Sequence, residues 1–351
     1  MTIRGIHHIT LVSGDIRRTA AFYTRALGLR LVKRTVNFDD PGSYHLYFGD
    51  EIGRPATLVT FFDWPQLPPG QWGIGATHHF ALCVESEEAQ LKWKRWLVEQ
   101  GCDVTGPFDR VYFKSIYFQD PDGTIVEIAT RGPGWTIDEA PDALGAEMRP
   151  PPRELTVGHR DEAAIAATTW PDPVSAIDQD MALHGLHHIT AIGSDIERTT
   201  QFYVDLLGMR LVKRTLNFDN PNSPHYYYGV GEGQPGTLIT YFAYPHGSMR
   251  EARIGVGQTH HFALAVDDAA TQLAWRERLL GAGVPVTPVL DRVYFKSIYF
   301  HDPDGHIVEI ATNGPGFLID EDAGHLGSTL QLPTWLEPRR DEIAQSLPPL
   351  D

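Results

Sequence analysis

The length, composition and charge of the chain exclude several classes of protein. The chain has 351 residues, of which 42% are hydrophobic and 21% charged, a composition typical of globular proteins. Its 45 acidic and 29 basic residues give a formal net charge of −16, which argues against nucleic acid or an anionic membrane as a partner. Two cysteines cannot form a disulfide framework, and no apolar segment reaches the ~20 residues of a membrane span. Without a signal-peptide pattern, we expect a cytoplasmic protein.

The sequence contains an internal duplication. Gly5–Pro41 recurs, with substitutions, as Gly185–Pro221, and Asp109–Thr130 recurs as Asp291–Thr312. The two copies are offset by 180 residues at the first pair and by 182 at the second, so the spacing between the motifs is nearly the same in both. A repeat of this length predicts two structurally equivalent parts.

The segment between the copies is rich in Pro, Asp and Ala, a composition typical of a linker. We therefore predict two tandem domains, a linker and a tail. Their ranges are a first domain over 1–131, a tail and linker over 132–181, a second domain over 182–313 and a C-terminal tail over 314–351.

Each copy contains the same order of secondary structure twice. In the first copy GIHHITLV has the pattern of a strand, Asp15 is a suitable N-cap for a helix that Gly28 ends, and three short strands follow. The next part repeats this order, with THHFALCV as the strand, Ser86 as the helix N-cap and a hairpin around DPDG. The pattern predicts an α+β fold of four βαβββ modules, paired so that their curved sheets form cups.

Polar residues within apolar strands are the candidates for metal ligands. Strand alternation places Ile9 and Leu11 against the helix and His8 on the opposite, concave face. The same argument places a second histidine and a glutamate on the concave faces of their strands. A lone strand histidine is more often a hydrogen-bonded core residue, but three such residues, repeated in full, favour a metal site. The predicted ligands are His8, His79, Glu127, His188, His261 and Glu309.

Two imidazoles and one carboxylate leave coordination positions of a divalent metal open, which is typical of non-haem iron(II) sites that bind dioxygen. The sequence leaves the pairing of these ligands open. One site can combine His8 with His79 and Glu127 of the same copy, or with His261 and Glu309 of the other, because both choices join the same types of module.

The motifs HHITL, LGLRLVKRT, HHFAL and DPDG followed by EIAT resemble those of the vicinal oxygen chelate superfamily. That superfamily includes glyoxalase I, bleomycin- and fosfomycin-resistance proteins and extradiol dioxygenases, and the resemblance covers nearly the whole chain apart from parts of the linker. LVKRT, DRVYFKSIYF and the tail LPTWLEPRRDEI are most similar to dioxygenases that cleave para-hydroquinones. The resemblance implies an Fe2+-dependent, extradiol-type ring-cleaving dioxygenase whose partners are O2 and a small hydroquinone- or catechol-like aromatic substrate, with Mn2+ as an alternative metal.

Those dioxygenases retain one ligand set, from the first and last modules, whereas this chain has complete sets in both copies. The resemblance also implies roles for residues around the metal, since Arg can neutralise a phenolate-like oxygen and Tyr can donate to a developing anion. The matching positions are His7, Thr10, His78, Arg110, Tyr117, His187, Thr190, His260, Arg292 and Tyr299. Alternation places His7 and His78 on the face opposite the ligands, so their roles follow from the resemblance alone.

Two other functions stand as alternatives. One is a glyoxalase-I-like, metal-dependent lyase or isomerase that uses Zn2+ or Ni2+; the other is a non-enzymatic module that binds a drug or aromatic compound. Glyoxalase I has a fourth ligand, a carboxylate on the last strand of its first module, and by register Phe61 and Tyr241 occupy that position here. Their side chains argue against the lyase, and a binding module does not need a metal triad. The oligomeric state stays open, with a homo-oligomer among the alternatives.

Some repeated polar positions carry a weaker signal. His45 and His225 lie in the strands YHLYFGD and PHYYYGV, where a surface edge is the favoured interpretation and a substrate contact the alternative. Lys33 and Lys213 are interpreted as surface groups.

Overall fold

The chain forms four βαβββ modules, as the sequence predicts, and the computed structural model describes residues 1–350. The first module comprises β1 (Gly5–Ser13), α1 (Ile16–Ala21) with a π-helical turn (Phe22–Ala26), β2 (Arg30–Asn37), β3 (Asp40–Gly49) and β4 (Leu58–Asp63). The second comprises β5 (Thr77–Val84), α2 (Glu87–Glu99), β6 (Thr105–Asp109), β7 (Lys114–Gln119) and β8 (Ile125–Thr130). The segment that follows contains 3-10 turns (Trp135–Ile137, Arg153–Leu155, Gln179–Met181) and α3 (Glu162–Ala167).

The second copy repeats this order. The third module comprises β9 (Leu186–Gly193), α4 (Ile196–Thr200) with a π-helical turn (Gln201–Leu206), β10 (Arg210–Asn217), β11 (Asn220–Gly229) and β12 (Leu238–Ala243). The fourth comprises β13 (Thr259–Val266), α5 (Ala269–Gly281), β14 (Leu290–Asp291), β15 (Lys296–His301) and β16 (Ile307–Thr312). The C-terminal tail contains 3-10 turns (Phe317–Ile319, Glu337–Arg339) and α6 (Arg340–Ser346).

The helices begin and end where their capping residues predict. Asp15 accepts hydrogen bonds from two backbone N–H groups in the first turn of α1, and Ser86 accepts one from Ala89 at the start of α2. These bonds satisfy donors that have no partner within the helix. Gly28 follows the first helix with a φ of 67°, a conformation that favours glycine.

The modules pair across the two sequence copies. One eight-stranded sheet has the order β14-β15-β16-β13-β1-β4-β3-β2, and the other the order β10-β11-β12-β9-β5-β8-β7-β6. The first and fourth modules therefore share a sheet through the antiparallel pair β1–β13, and the second and third through β5–β9. Both sheets are curved, and the α+β fold with tandem repeats is confirmed.

The compact units of the chain follow this crossed pairing. Unit 1 contains Met1–Gln71, the turn Pro121–Gly123 and the chain from Arg253 onward; unit 2 contains Trp72–Asp120 and Thr124–Ala252. These units differ from the ranges expected from the repeat, 1–131 and 182–313, which mark the sequence copies. The physical reason is that the first strand of every module presents a similar open edge, so similarity between the copies does not determine the partner.

The segments after each copy complete these units. Phe317 packs in an apolar cluster with Val32 and Leu58 in unit 1, and Trp135 packs equivalently with Val212 and Leu238 in unit 2. Among residues 1–350, no helix is long and apolar enough to cross a membrane.

Candidate metal centres

Three adjacent strands bring His8, His261 and Glu309 together in unit 1. Nε2 of His8 lies 3.2 Å from Nε2 of His261. Oε2 of Glu309 lies 3.3 Å from Nε2 of His8 and 3.0 Å from Nε2 of His261. All three residues are buried, and β13 lies between β1 and β16 in the sheet. The three ligand-type atoms therefore converge on one point.

Unit 2 repeats the arrangement with His79, His188 and Glu127. The two Nε2 atoms are 3.2 Å apart, and Oε2 of Glu127 lies 2.9 Å from His79 and 3.4 Å from His188. Each group thus takes ligands from both sequence copies. Of the two pairings that the sequence leaves open, the structure shows the crossed one.

Both groups fit a divalent metal ion. In unit 1 the hydroxyl of Ser297 donates to Oε1 of Glu309 at 2.5 Å, and in unit 2 Ser115 donates to Oε1 of Glu127 at 2.6 Å. Among the described residues, Oε2 of each glutamate is buried without a hydrogen-bond donor. A buried carboxylate oxygen without a donor is costly, and a cation removes that cost. The atoms are separated by the ~3 Å expected between neighbouring ligands of an ion with bonds of about 2.1 Å.

The protonation states also suit metal binding. Burial opposes ionisation of the carboxyls, but the neighbouring histidines hold the pKa of Glu127 and of Glu309 well below the usual range. Burial lowers the pKa of His79 and of His261. Each glutamate is therefore ionised, and a cation bound beside it would replace the charge that the histidines supply and leave their Nε2 lone pairs as ligands.

Each ligand-type histidine contacts the histidine that precedes it in the chain. The Nδ1–Nδ1 distances are 2.9 Å for His7 and His8, 2.8 Å for His78 and His79, 2.8 Å for His187 and His188, and 2.9 Å for His260 and His261. The expectation that His7 and His78 face away from the ligands is therefore wrong. The register of β1–β13 and of β5–β9 shifts at all four preceding histidines, so β-bulges interrupt the alternation there.

These preceding histidines are neutral hydrogen-bond acceptors. Burial, followed by the charge of the adjacent histidine, lowers the pKa of each to about 3, and this holds for His7, His78, His187 and His260. A neutral imidazole accepts the Nδ1–H of the ligand-type histidine and fixes the tautomer that leaves Nε2 free.

A chain of polar groups leads into each group; Thr10 and Thr190 were expected beside the ligands, but Thr60, Tyr47 and their equivalents Thr240 and Tyr227 were not. In unit 1, Oγ1 of Thr10 lies 3.0 Å from Nε2 of His261 and 2.8 Å from Oγ1 of Thr60. Nε2 of His45 lies 3.0 Å from Oγ1 of Thr60, and the hydroxyl of Tyr47 lies 3.0 Å from Nδ1 of His45. The chain is repeated in unit 2 by Thr190, Thr240, His225 and Tyr227.

His45 and His225 therefore line the cavities instead of lying at a surface edge. Burial and then the nearby histidines hold the pKa of both well below the usual value, so both are neutral. The pattern His-x-Tyr occurs in both β3 and β11. Because side chains alternate along a strand, this pattern places the His and Tyr rings on the same face, and it could have indicated a shared role in the cavity.

The predicted Arg and Tyr residues lie beside the groups. In unit 2, Nη2 of Arg110 lies 3.4 Å from the hydroxyl of Tyr117 and donates to Asp219 at 2.9 Å; the ring of Tyr117 packs edge-on against His79. In unit 1, Arg292 donates to Asp39 at 2.9 Å, and Tyr299 packs against His261.

The charges of these groups are fixed by their surroundings. Burial opposes the charge of Arg110, but Tyr117 and Asp219 hold its pKa above the usual value, and Arg292 behaves likewise beside Tyr299. Burial raises the pKa of both tyrosines. Each site therefore combines a permanent positive charge with a protonated phenol.

Each group opens into a cavity with aromatic walls. In unit 2 the cavity has a volume of about 310 Å³, and its aromatic lining comprises Phe108, Phe113, Phe218, Tyr227 and Phe242 with Tyr117 and the histidines. In unit 1 a cavity of about 770 Å³ adjoins a smaller one of about 30 Å³ next to His8, and both are lined by Phe62, His261 and Arg292.

The positions interpreted as the fourth ligand of a glyoxalase site lie elsewhere. Phe61 packs on Tyr23 of the first helix region, and the hydroxyl of Tyr241 hydrogen-bonds Tyr203, so both face the helices. On β4 the residues that face the cavity are Thr60 and Phe62. The expected position, Phe61, is therefore one residue away from the positions that face the cavity. Neither Thr60 nor Phe62 carries a carboxylate, so the argument against a glyoxalase-type fourth ligand still holds.

Paired βαβββ modules around buried His–His–Glu groups define the class of the fold, and comparison with known proteins agrees. The chain belongs to the Glyoxalase/Bleomycin resistance protein/Dioxygenase superfamily, whose family model matches residues 5–128 and 185–310. This confirms the resemblance seen in the motifs.

Individual relatives align over nearly their full lengths. The chain is 33% identical to "Putative ring-cleaving dioxygenase MhqO" of Bacillus subtilis strain 168, over 99% of this chain and 96% of the relative. It is 28% identical to a chlorohydroquinone/hydroquinone 1,2-dioxygenase of Sphingobium indicum, over 98% of this chain and 96% of the relative. A solved structure of a "putative dioxygenase" from Bacillus subtilis is 31% identical and superposes with a TM-score of 0.78, covering 100% of this chain and 98% of the other.

Proposed function

We propose that this protein is a metal-dependent dioxygenase that opens the ring of small hydroquinone- or catechol-like compounds. One observation carries the proposal and is present in both units. A buried His–His–Glu group, in which one carboxylate oxygen accepts no hydrogen bond, lies beside an aromatic cavity. The names of the full-length relatives, which are ring-cleaving and hydroquinone dioxygenases, support the same reaction type.

The metal that suits this role best is Fe2+, with Mn2+ as the alternative. His8, His261 and Glu309 would hold it in unit 1, and the equivalent residues would hold it in unit 2. A bound iron would supply the electron-transfer chemistry that a ring-cleaving dioxygenase needs.

The cavity walls bind and orient the ring. In unit 2, Phe113 and Phe242 lie on the lining of the cavity together with the ligand-type histidines. Aromatic side chains of this kind contact a planar substrate over a large area and exclude water from the reacting atoms. The permanent charge of Arg110 stabilises a phenolate-like oxygen, and Tyr117 keeps its proton and donates a hydrogen bond.

The neighbouring polar groups maintain the geometry. His7 holds the tautomer of His8, and Ser297 holds one oxygen of Glu309 so that the other is free for the metal. Thr10, supported by Thr60 and His45, presents a hydroxyl beside the ligand atom of His261. A hydroxyl at this position would be able to hydrogen-bond an oxygen atom of a substrate in the cavity.

The test is an oxygen-electrode assay after anaerobic loading with Fe2+, using hydroquinones, catechols and, separately, the adduct of methylglyoxal and glutathione. We expect uptake of one O2 per ring consumed with at least one of the diols. Turnover of the glutathione adduct without oxygen uptake on any diol would instead identify a glyoxalase-like lyase. Binding of aromatics without any turnover would identify a binding module.

A further inference from the structure

The cavity of unit 2 is braced by a linker residue. The guanidinium of Arg160 lies 4.2 Å from the centre of the Phe108 ring, and its Nη1 donates to Oδ1 of Asp219 at 2.6 Å. Phe108 and Asp219 both line the cavity, and Asp219 also accepts from Arg110. We call Arg160, Phe108 and Asp219 the Arg160 clamp. It joins opposite walls of the cavity, one from β6 and one from the turn after β10.

The segment that carries Arg160 is itself anchored. The backbone N–H of Val157 donates to the carbonyl of Phe218 at 2.9 Å. On the other side, Nζ of Lys94 donates to three carbonyls at the end of α3, at 2.7–3.2 Å, and to the carbonyl of Gly106 at 2.6 Å. A cation at the C-terminus of a helix satisfies carbonyls that have no partner within it. The clamp is therefore held in place by the main chain as well as by its own side chains.

Within residues 1–350, unit 1 has no equivalent of the Arg160 clamp. The sequence HRDE around Arg160 is repeated as RRDE around Arg340, but Arg340 bonds Glu337 and the carbonyl of Leu330. The position of Phe108 is held by the smaller Leu290 in the second copy.

The aspartates at the two cavity mouths differ in exposure as a result. The side chain of Asp39 in unit 1 is 70% exposed, against 43% for Asp219 in unit 2. The mouth of the unit 1 cavity is therefore less constrained.

We propose that the Arg160 clamp makes the two centres select rings of different size. In unit 1 the space beside His8 holds only about 30 Å³ and continues past His261 and Arg292 into the open cavity. The clamped cavity of unit 2, at about 310 Å³, admits hydroquinones without large substituents; the open cavity of unit 1, at about 770 Å³, also admits rings that carry a second ring or a branched substituent. These volumes lie near the lower end and in the upper part of the range for small-molecule sites. The inference rests on the proposed function for the class of ligand, but its size selection is testable without turnover.

The experiment measures binding of hydroquinone and of 2-phenylhydroquinone by anaerobic titration calorimetry, with Mn2+ as the bound metal. Glu309→Gln isolates the centre of unit 2, and Glu127→Gln isolates that of unit 1. We expect the ratio of Kd for phenylhydroquinone to Kd for hydroquinone to be at least about tenfold higher in Glu309→Gln.

Adding Arg160→Ala to Glu309→Gln should lower that ratio several-fold. Adding Phe108→Leu to Glu309→Gln should also lower it, without changing any charged residue. Arg340→Ala in the Glu127→Gln background is the matched control and should leave its ratio unchanged within about twofold. Metal content and thermal unfolding show whether each variant is folded and loaded.

Equal ratios in the two single-centre proteins would overturn the proposal, as would ratios that neither Arg160→Ala nor Phe108→Leu alters. Failure of both rings to bind at either centre would overturn it together with the proposed function. Size-selective binding without oxygen uptake would overturn the proposed dioxygenase and leave the size selection standing.

Discussion

The Nε2 atoms of His8 and His261 lie 3.2 Å apart, although 253 positions separate the two residues in the chain. This contact exists because β1 of the first copy pairs with β13 of the second. Neither centre therefore takes all three of its ligand-type residues from one copy. A tandem duplication has produced two equivalent centres that each depend on both copies.

The histidine before each ligand should control metal affinity. In His7→Phe the Nδ1–H of His8 loses its acceptor, and we expect metal affinity at the unit 1 centre to fall about 10- to 100-fold. His7→Gln, which retains an acceptor, should lose less. The measurement is competition with a chelator, and His187→Phe is the matched variant that should weaken the unit 2 centre alone. Unchanged affinity in His7→Phe would show that the contact does not support the ligand.

The serine beside each glutamate should have a smaller effect on the same quantity. Ser115→Ala removes the donor to Oε1 of Glu127, so the carboxylate can rotate and lose the orientation that leaves Oε2 free. We expect a several-fold loss of metal affinity at the unit 2 centre, corresponding to about 1 kcal/mol for one hydrogen bond. Ser297→Ala should do the same in unit 1. Equal loss at both centres from either single variant would contradict this assignment.

Lys33 should be essential for stability. It is fully buried, and its Nζ donates to Asp320 at 2.6 Å and to Glu321. Lys33→Met leaves both carboxylates without their cation, so the free energy of unfolding should fall by about 3 kcal/mol. Denaturant unfolding measures this, and Lys296→Met, at an exposed position, should change it by less than about 0.5 kcal/mol. A loss below about 1 kcal/mol for Lys33→Met would contradict the buried network.

Asp63 should make stability depend on pH. Burial, with the charges of Asp15 and Asp122, raises the pKa of Asp63 to about 6 in the folded chain. An acid whose folded pKa lies above its unfolded value of ~3.9 destabilises the fold as pH rises between these values. Asp63→Asn should therefore raise the free energy of unfolding at pH 8 by about 1 kcal/mol, reduced from the full effect by partial solvation, and leave it unchanged near pH 3.5. Equal effects at the two pH values would rule out this cause.

The sequence predicted the modules and the ligand-type residues because both depend on local patterns. Alternation predicts that His8 and Glu127 face away from the helices, and in the structure both residues line the cavities. The same rule was wrong for His7 because a β-bulge is a local insertion that alternation cannot reveal.

Features that depend on tertiary packing were beyond the sequence. The sequence favoured a surface position for Lys33, but in the fold the C-terminal tail places Asp320 against it. It favoured an edge position for His45, but the neighbouring strand places Thr60 next to its ring. The sequence could not decide whether His8 pairs with His79 or with His261, because these two histidines lie in equivalent modules. Long-range strand partners are fixed by the assembled chain and not by the local pattern.

Metal stoichiometry in paired variants tests the crossed centres most directly. If His8 and Glu309 serve one ion, the double variant His8→Ala/Glu309→Gln should retain about one Fe2+ per chain under anaerobic loading, whereas His8→Ala/Glu127→Gln should retain none. Two equivalents in the unmodified chain complete the expected series. Retention of one ion by His8→Ala/Glu127→Gln, with none in His8→Ala/Glu309→Gln, would show that each ion is held by residues of a single copy and would rule out the crossed centres.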